Sequence, residues 1–65
     1  MNLKKLKGKI TEKETSYAKC ADKIGVSIAT FSDKMNGKRK FYVEEANELS
    51  NFLNLSVKDR IEIFF

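Results

Sequence analysis

The run Lys38-Arg39-Lys40, which follows Asn36-Gly37, is the stretch of the sequence whose residue types most directly indicate a binding chemistry. Clustered cations bind polyanions such as the phosphates of nucleic acids. The wider charge distribution has the same sign, because residues 1–40 carry 11 Lys and Arg against 4 acids whereas residues 41–65 carry a net charge of −3. Such a one-sided field suits nucleic acid. Charge alone fits equally well with lysines that only solvate helix surfaces.

Catalytic and metal chemistry lack the residues that they need. The chain has no histidine, so Ser27 and Ser32 have no such base to activate them as nucleophiles. Cys20 is the single cysteine and is predicted to be a small buried apolar residue, which leaves neither a disulfide nor a Cys/His zinc site within one chain. The carboxylates of Glu44, Glu45 and Glu48 are predicted to form a solvated helix face. We therefore expect no enzyme activity, no metal, no cofactor and no small-molecule ligand.

The spacing of the apolar residues indicates the elements that must position these side chains. Apolar residues recur every three or four positions and the chain contains no proline, which predicts an all-α fold. The 65 residues suffice for one core, hence a single domain over residues 1–65. Five helices are expected: Leu3–Ile10, Tyr17 to about Ile24, Ile28 to about Asn36, Val43–Leu53, and one that follows Ser56. The predicted inward residues are Leu3, Leu6, Ile10, Cys20, Ala21, Ile24, Val26, Phe31, Met35, Val43, Ala46, Leu49, Leu53, Val57, Ile61 and either Phe64 or Phe65.

A short link around Gly25 joins the second and third helices. Ser16 and Ser27 can cap the two helix starts, and Gly25 can adopt the left-handed conformation of a tight helix exit. Ala21, four residues earlier, allows the helices to approach, and Phe31, six residues later, faces the core. A link this short forces a steep crossing, as in a DNA-binding helix-turn-helix. An unrelated helical hairpin can show the same spacing by chance.

The sequence resembles the helix-turn-helix of the phage repressor and Cro family, the XRE-type transcription regulators, over the run Tyr17-x3-Ala21-x3-Gly25-Val26-Ser27-x2-Thr30-Phe31-Ser32-x3-Asn36-Gly37-Lys38. Leu3–Ile10 resembles the first helix of the family, and Val43–Leu55 the fourth. The resemblance implies a compact five-helix, lambda-repressor-like domain with its helix-turn-helix in helices 2 and 3. It also implies a sequence-specific double-stranded DNA-binding regulator, a Cro-like phage or prophage repressor that occludes a promoter. Tyr17 and Lys34 depart from the family pattern, since they replace a usual glutamine and a usual apolar residue.

In that docking mode the N-terminal part of the third helix enters the major groove. Base-reading roles are expected for Ser27, Ile28, Ala29, Ser32 and Asp33. Ile28 and Ala29 can pack on thymine methyl groups and Asp33 can accept from a cytosine amine, so T-rich contact positions are expected. Phosphate contacts are expected from Tyr17, Lys34, Lys38, Arg39 and Lys40. For Tyr17 the alternative is a ring packed at the surface.

The chain end Ile61-Glu62-Ile63-Phe64-Phe65 carries more apolar side chains than a small core readily covers. We predict a homodimer interface formed by Ile61, Ile63, Phe64 and Phe65, which would read a palindromic operator with half-sites about one helical turn apart. In the alternative, Ile61 and one phenylalanine close the core. No apolar run approaches the roughly 18 residues of a membrane span, and no signal-peptide pattern is present. A cytoplasmic location without membrane contact is expected.

A second class of function is compatible with the same residues. A protein-interaction module of the antirepressor kind would retain the helix-turn-helix fold and bind another regulator. The apolar Ile28 and Ala29 at the reading positions favour this alternative, whereas Lys38–Lys40 favour DNA. An antitoxin function also remains open.

Overall fold

Serine caps set the starts of three of the five helices in the computed structural model, which describes residues 1–65. The helices are α1 (Leu3–Glu12), α2 (Tyr17–Ile24), α3 (Ile28–Met35), α4 (Val43–Phe52) and α5 (Val57–Phe64). The hydroxyls of Ser16, Ser27 and Ser56 each accept a hydrogen bond from the backbone N–H three residues on, at 3.2, 3.1 and 3.1 Å. Each bond satisfies a donor that the first helical turn leaves free. The predicted all-α fold with five helices is confirmed, and α1 extends two residues past its expected end.

The turn between α2 and α3 has the geometry that the sequence predicts. Gly25 adopts φ +75°, in the left-handed region. The N–H of Val26 donates to the carbonyl oxygen of Ala21 at 3.0 Å, which closes the end of α2. Only residues 25–27 separate the two helices, and α2 packs against both α3 and α4. Helices α2 and α3 thus form a helix-turn-helix.

The core is built around the inner face of α3. Phe31 is fully buried, and its ring meets Tyr17 edge-on at a centroid distance of 5.2 Å and Phe41 at 6.0 Å. Phe41 in turn meets Phe64 of α5 at 5.6 Å. Edge-to-face contacts of this kind add to the free energy of burying the rings. The remaining core residues are Leu6, Ile10, Cys20, Ala21, Ile24, Met35, Ala46, Leu49, Leu53, Leu55 and Ile63.

Three of the predicted inward residues face solvent instead. Val43 and Val57 are the first residues of α4 and α5 and are 66% and 74% exposed. The first buried residues of these helices are Ala46 and Ile63. Ile61 is 54% exposed, so the prediction that it closes the core is wrong. Its place is taken by Ile63, which is fully buried and whose carbonyl oxygen accepts from the N–H of Asn2 at 2.8 Å. The core-facing side of α5 is therefore rotated relative to the predicted one.

Ion pairs also join α1 to α5 in this orientation. The ammonium groups of Lys5 and Lys9 each lie 3.1 Å from a carboxylate oxygen of Asp59, and Lys5 also bonds to Glu62. The hydrogen bonds from Lys5 and Lys9 lower the pKa of Asp59, and the bond from Lys5 lowers the pKa of Glu62. The same bonds raise the pKa values of both lysines. These two cations of α1 are therefore already paired within the domain.

Candidate nucleic-acid interface

One side of α3 is exposed because the other side carries Phe31 and Met35 into the core. Ile28 is 57% exposed, Ala29 is exposed, and Ser32 and Asp33 are partly exposed. The structure thus places four of the five predicted base-reading residues on one surface. We call this surface the α3 face: Ile28, Ala29, Ser32 and Asp33.

The fifth predicted reader, Ser27, lies at the edge of the α3 face with its hydroxyl engaged. Its Oγ accepts from the N–H of Thr30 at 3.1 Å and donates to Oγ1 of Thr30 at 3.0 Å. A serine hydroxyl has one proton, so in this arrangement Ser27 can only accept from a base. Ser32 differs, since its Oγ accepts from the amide of Asn36 at 3.5 Å and keeps its own proton free. Of the two serines, Ser32 is the available donor.

The exposed cations Lys38, Arg39 and Lys40 form a basic loop against the last turn of α3. Gly37 turns the chain with φ +79°. The N–H groups of Lys38 and Arg39 then donate to the carbonyl oxygen of Asp33, at 2.9 and 3.4 Å. These bonds fold the basic loop back beside the α3 face. The predicted proximity of base-reading and phosphate-binding residues is therefore present in the fold.

Lys34 corrects the predicted set of phosphate ligands. It is only 3% exposed, and its Nζ donates to Oε1 of Glu45 and to the carbonyl oxygen of Lys40, both at 2.8 Å. A buried ammonium paired with a carboxylate has neither the access nor the free charge to bind a phosphate. The prediction for Lys34 is wrong because the residue continues the buried stripe of α3, three positions after Phe31.

The structure also corrects the prediction that Glu45, the partner of Lys34, belongs to a solvated helix face. Its side chain is 14% exposed, and its Oε1 also accepts from the N–H of Tyr42 at 3.0 Å. The Lys34 ammonium lies 4.9 Å from the ring centroid of Tyr42. The Lys34–Glu45 pair thus joins α3 to the end of the basic loop and to the start of α4. The sequence does contain a signal for this role of Glu45, because a glutamate in the third position of a helix can accept a hydrogen bond from the backbone at the helix start.

A groove of about 410 Å³ lies between α3 and the start of α4. Its lining residues are Val26, Thr30, Lys34, Arg39, Lys40, Tyr42 and Glu45. Lys34 is paired with Glu45 and Arg39 with Asp33, which leaves the Lys40 ammonium as the unpaired cation of this lining. The unpaired positive charge of the groove is therefore that of the basic loop itself.

Arg39 and Asp33 form an ion pair that the sequence analysis did not anticipate. Nε of Arg39 lies 3.4 Å from Oδ2 of Asp33, with the two side chains 61% and 39% exposed. The residues are six apart and lie on either side of the turn at Gly37, so helical spacing gives no signal for the contact. A predicted phosphate ligand is thus joined to a predicted base reader.

Tyr17, the first residue of α2, is partly buried with its ring against Phe31. Of the two alternatives for this residue, ring packing is the one present. A phosphate contact by its hydroxyl stays a prediction.

The chain end divides into core and surface. Ile63 is fully buried and Phe64 is 9% exposed, so the prediction that they form a dimer interface is wrong. Ile61 and Phe65 are 54% and 79% exposed and remain available. With Val57 they recur at intervals of four residues along α5. We call these three residues the α5 stripe.

Outside these surfaces, few groups offer other chemistry. Cys20 is fully buried, as predicted, and burial raises the pKa of its thiol. No three His, Cys, Asp or Glu side chains cluster as a metal site would require. None of the five helices combines the length and the apolar character needed to cross a membrane. Comparisons with protein-family models, with curated proteins and with solved structures found no match.

Proposed function

We propose that the protein is a sequence-specific double-stranded DNA-binding regulator of the phage repressor and Cro kind. The supporting observation is the placement of an exposed helix face directly beside an exposed basic loop, on a helix whose opposite side is buried. The major groove of B-DNA admits an α-helix, and flanking cations then meet the phosphates. In this proposal α3 enters the major groove and the regulator acts in the cytoplasm by occluding a promoter.

Affinity in this proposal comes mainly from phosphates. Lys38 and Lys40 are exposed and belong to none of the ion pairs in the structure, so their charge is available to DNA. Lys4 and Lys7 on α1 are likewise exposed and unpaired. Each phosphate contact releases a bound counterion, which makes affinity fall as salt rises. Binding should therefore be strongly salt-dependent.

Sequence selectivity comes from the α3 face. Ile28 and Ala29 offer apolar surface to thymine methyl groups, and Ser32 offers a free hydroxyl proton. The Lys34–Glu45 pair fixes the basic loop relative to this face before DNA arrives, which reduces the entropy that binding must remove. The hydrogen bond from Lys34 to the Lys40 carbonyl oxygen thus ties the phosphate-binding surface to the helix that carries the reading surface.

We further propose that two copies bind a palindromic operator. The α5 stripe supplies the apolar surface for a two-fold contact, through Ile61 and Phe65 in particular. Two-fold dimers of this motif read half-sites about one helical turn apart. The corrected interface is smaller than the sequence predicted, since two of its four residues are in the core.

The test begins with selection of duplexes from a randomised library, followed by titration of the recovered duplex at several salt concentrations. Lys38→Ala should lower affinity for all duplexes and reduce the slope of log K against log salt by about 0.9. Lys23→Ala is the matched control, because the ammonium of Lys23 lies 5.6 Å from the ring centroid of Phe52 in α4, outside the basic loop. The control should leave both quantities unchanged. A wild-type chain that retains no duplex even at low salt would refute the proposal.

A protein-interaction module of the antirepressor kind is the second candidate. The observation that favours it is the exposure of apolar Ile28 and Ala29 at the centre of the expected reading surface. Binding of another regulator through this surface would persist at high salt and would tolerate Lys38→Ala. The same salt series therefore separates the two candidates.

A further inference from the structure

Arg39 differs from its neighbours in the basic loop because its side chain is paired with a carboxylate. Its Nε donates toward Oδ2 of Asp33 at 3.4 Å, and its backbone N–H donates to the carbonyl oxygen of the same residue. Lys38 and Lys40 have no carboxylate partner. Arg39 is thus drawn back over α3, whereas the two lysines remain free to follow the phosphates.

The free part of the guanidinium has the shape needed to read a base. An arginine side chain has five N–H donors, and the bond to Asp33 uses only the one on Nε. The two terminal nitrogens keep four donors in one plane, on a side chain that is 61% exposed. That planar fork matches O6 and N7 of guanine in the major groove, the commonest specific contact in protein–DNA recognition.

The carboxylate of Asp33 also disfavours the binding of a DNA phosphate to Arg39. A phosphate approaching Arg39 would come close to a second negative charge, which costs free energy that Lys38 and Lys40 do not impose. A guanine edge carries no net charge, so the repulsion between Asp33 and its O6 and N7 acceptors is smaller than that between Asp33 and a phosphate. The pair therefore favours a base over the backbone.

Given the proposed DNA-binding function, on which this inference rests, we propose that Arg39 reads a guanine in the major groove and that Asp33 is its positioning residue. This assignment moves Arg39 from the phosphate ligands to the base readers. It also moves Asp33 from a direct cytosine contact to a support for Arg39. The predicted half-site then contains a guanine next to the T-rich positions that contact Ile28 and Ala29.

The variant that tests the assignment is Arg39→Lys, which keeps the charge and removes the planar fork. Selection from a randomised duplex library is run on the wild type and on this variant, and affinities are then measured on the recovered duplex and on its single-base substitutions. The wild type should prefer guanine at one position of each half-site by roughly 5- to 150-fold. Arg39→Lys should weaken that preference, because an ammonium lacks the two parallel donors of the guanidinium, while it keeps the same salt slope and the same preferences elsewhere.

Asp33→Asn tests the positioning role. It should relax the same guanine position as Arg39→Lys, and the double variant should relax it no further, because both changes remove one interaction. Lys38→Ala serves as the phosphate-type control, with a uniform loss across all duplexes. Circular dichroism on each variant verifies that these exposed substitutions leave the helices intact.

Different results would overturn the role of Arg39, the role of Asp33 and the proposed DNA binding. If Arg39→Lys weakens every duplex by the same factor, Arg39 is a phosphate ligand and the assignment is overturned. If Asp33→Asn relaxes a different base position, Asp33 contacts DNA itself and its positioning role is refuted. Both results leave the proposed DNA binding standing, whereas a wild type that binds no duplex overturns the proposed function and this inference together.

Discussion

The Lys34–Glu45 pair gives the strongest prediction about the stability of the fold that carries the candidate interface. Lys34→Met removes the ammonium and keeps most of the apolar stem that lies in the core. The change breaks two hydrogen bonds of 2.8 Å, one to the Glu45 carboxylate and one to the Lys40 carbonyl oxygen. Glu45 keeps its bond from the N–H of Tyr42 but loses its counter-charge.

The magnitude follows from those two bonds. A hydrogen bond that involves a charged group contributes about 1.5–3 kcal/mol, and both bonds of the Lys34 ammonium are of this kind. Lys34 is 3% exposed and the Glu45 side chain 14%, so solvent screens the pair weakly. We expect Lys34→Met to lower the free energy of unfolding by about 3 kcal/mol, at the lower end of the values for breaking a buried pair. For a domain of this size that is a fall in Tm of about 12–24 °C.

The assay is urea unfolding of the wild type, Lys34→Met, Glu45→Gln and the double variant, followed by circular dichroism. Glu45→Gln keeps an oxygen that can accept from the N–H of Tyr42. The double variant leaves no unpaired charge, so the two losses should fall short of additivity by about 1.5–3 kcal/mol. The exposed pair Asp33 and Arg39 is the matched control, with an expected coupling below about 1 kcal/mol.

Additive losses at Lys34 and Glu45 would refute this reasoning. A coupling no larger than that of the exposed control pair would mean that the two charges are solvated and do not fix the basic loop. A loss well below 1 kcal/mol for Lys34→Met alone would lead to the same conclusion.

Acid, a thiol reagent and the chain end each offer a further test. The pKa of Asp59 is lower in the folded state than its ordinary value of 3.8, so its contribution to stability is present above that value and is lost as the pH falls through the folded pKa. Urea midpoints should therefore decline below about pH 4, and Asp59→Asn should flatten that decline; equal pH dependence would contradict the ion pairs. Cys20 is buried with a raised thiol pKa, so a thiol reagent should label it only as fast as the domain opens, and immediate labelling would show an open core. The double variant Ile61→Asp with Phe65→Ser should keep the fold and abolish the dimer on DNA, as measured by sedimentation. Unchanged dimers would exclude the α5 stripe as the interface. Ile63→Ala should instead lower the free energy of unfolding by about 2–5 kcal/mol.

Local signals in the sequence predicted the parts of the fold that are determined locally. Ser16 and Ser27 cap their helices, and Gly25 has the left-handed conformation that the short turn requires. Phe31 is buried and Ala29 is exposed, as the helical period of α3 implies. The exposed face of α3 and its nearness to the basic loop were therefore predictable.

Contacts between residues distant in sequence were not predictable in the same way. Lys34 is predicted from its charge to bind phosphate, whereas its partner in the structure, Glu45, lies eleven residues away on another helix. The orientation of α5 buries Ile63 and Phe64 and brings Glu62 to Lys5, which is 57 residues away in sequence. The Arg39 and Asp33 pair depends on how a turn folds back. In each case the outcome is set by tertiary packing, which periodicity does not encode.

The central claim is that the α3 face and the basic loop contact duplex DNA. The most direct measurement is a titration of ¹⁵N-labelled protein with the duplex recovered by selection, followed residue by residue in NMR spectra at low and at raised salt. We expect the largest amide shifts at Ala29, Ser32 and residues 37–40, reversed as the salt concentration rises. Shifts concentrated on α5 or α1, with α3 unaffected, would contradict the claim.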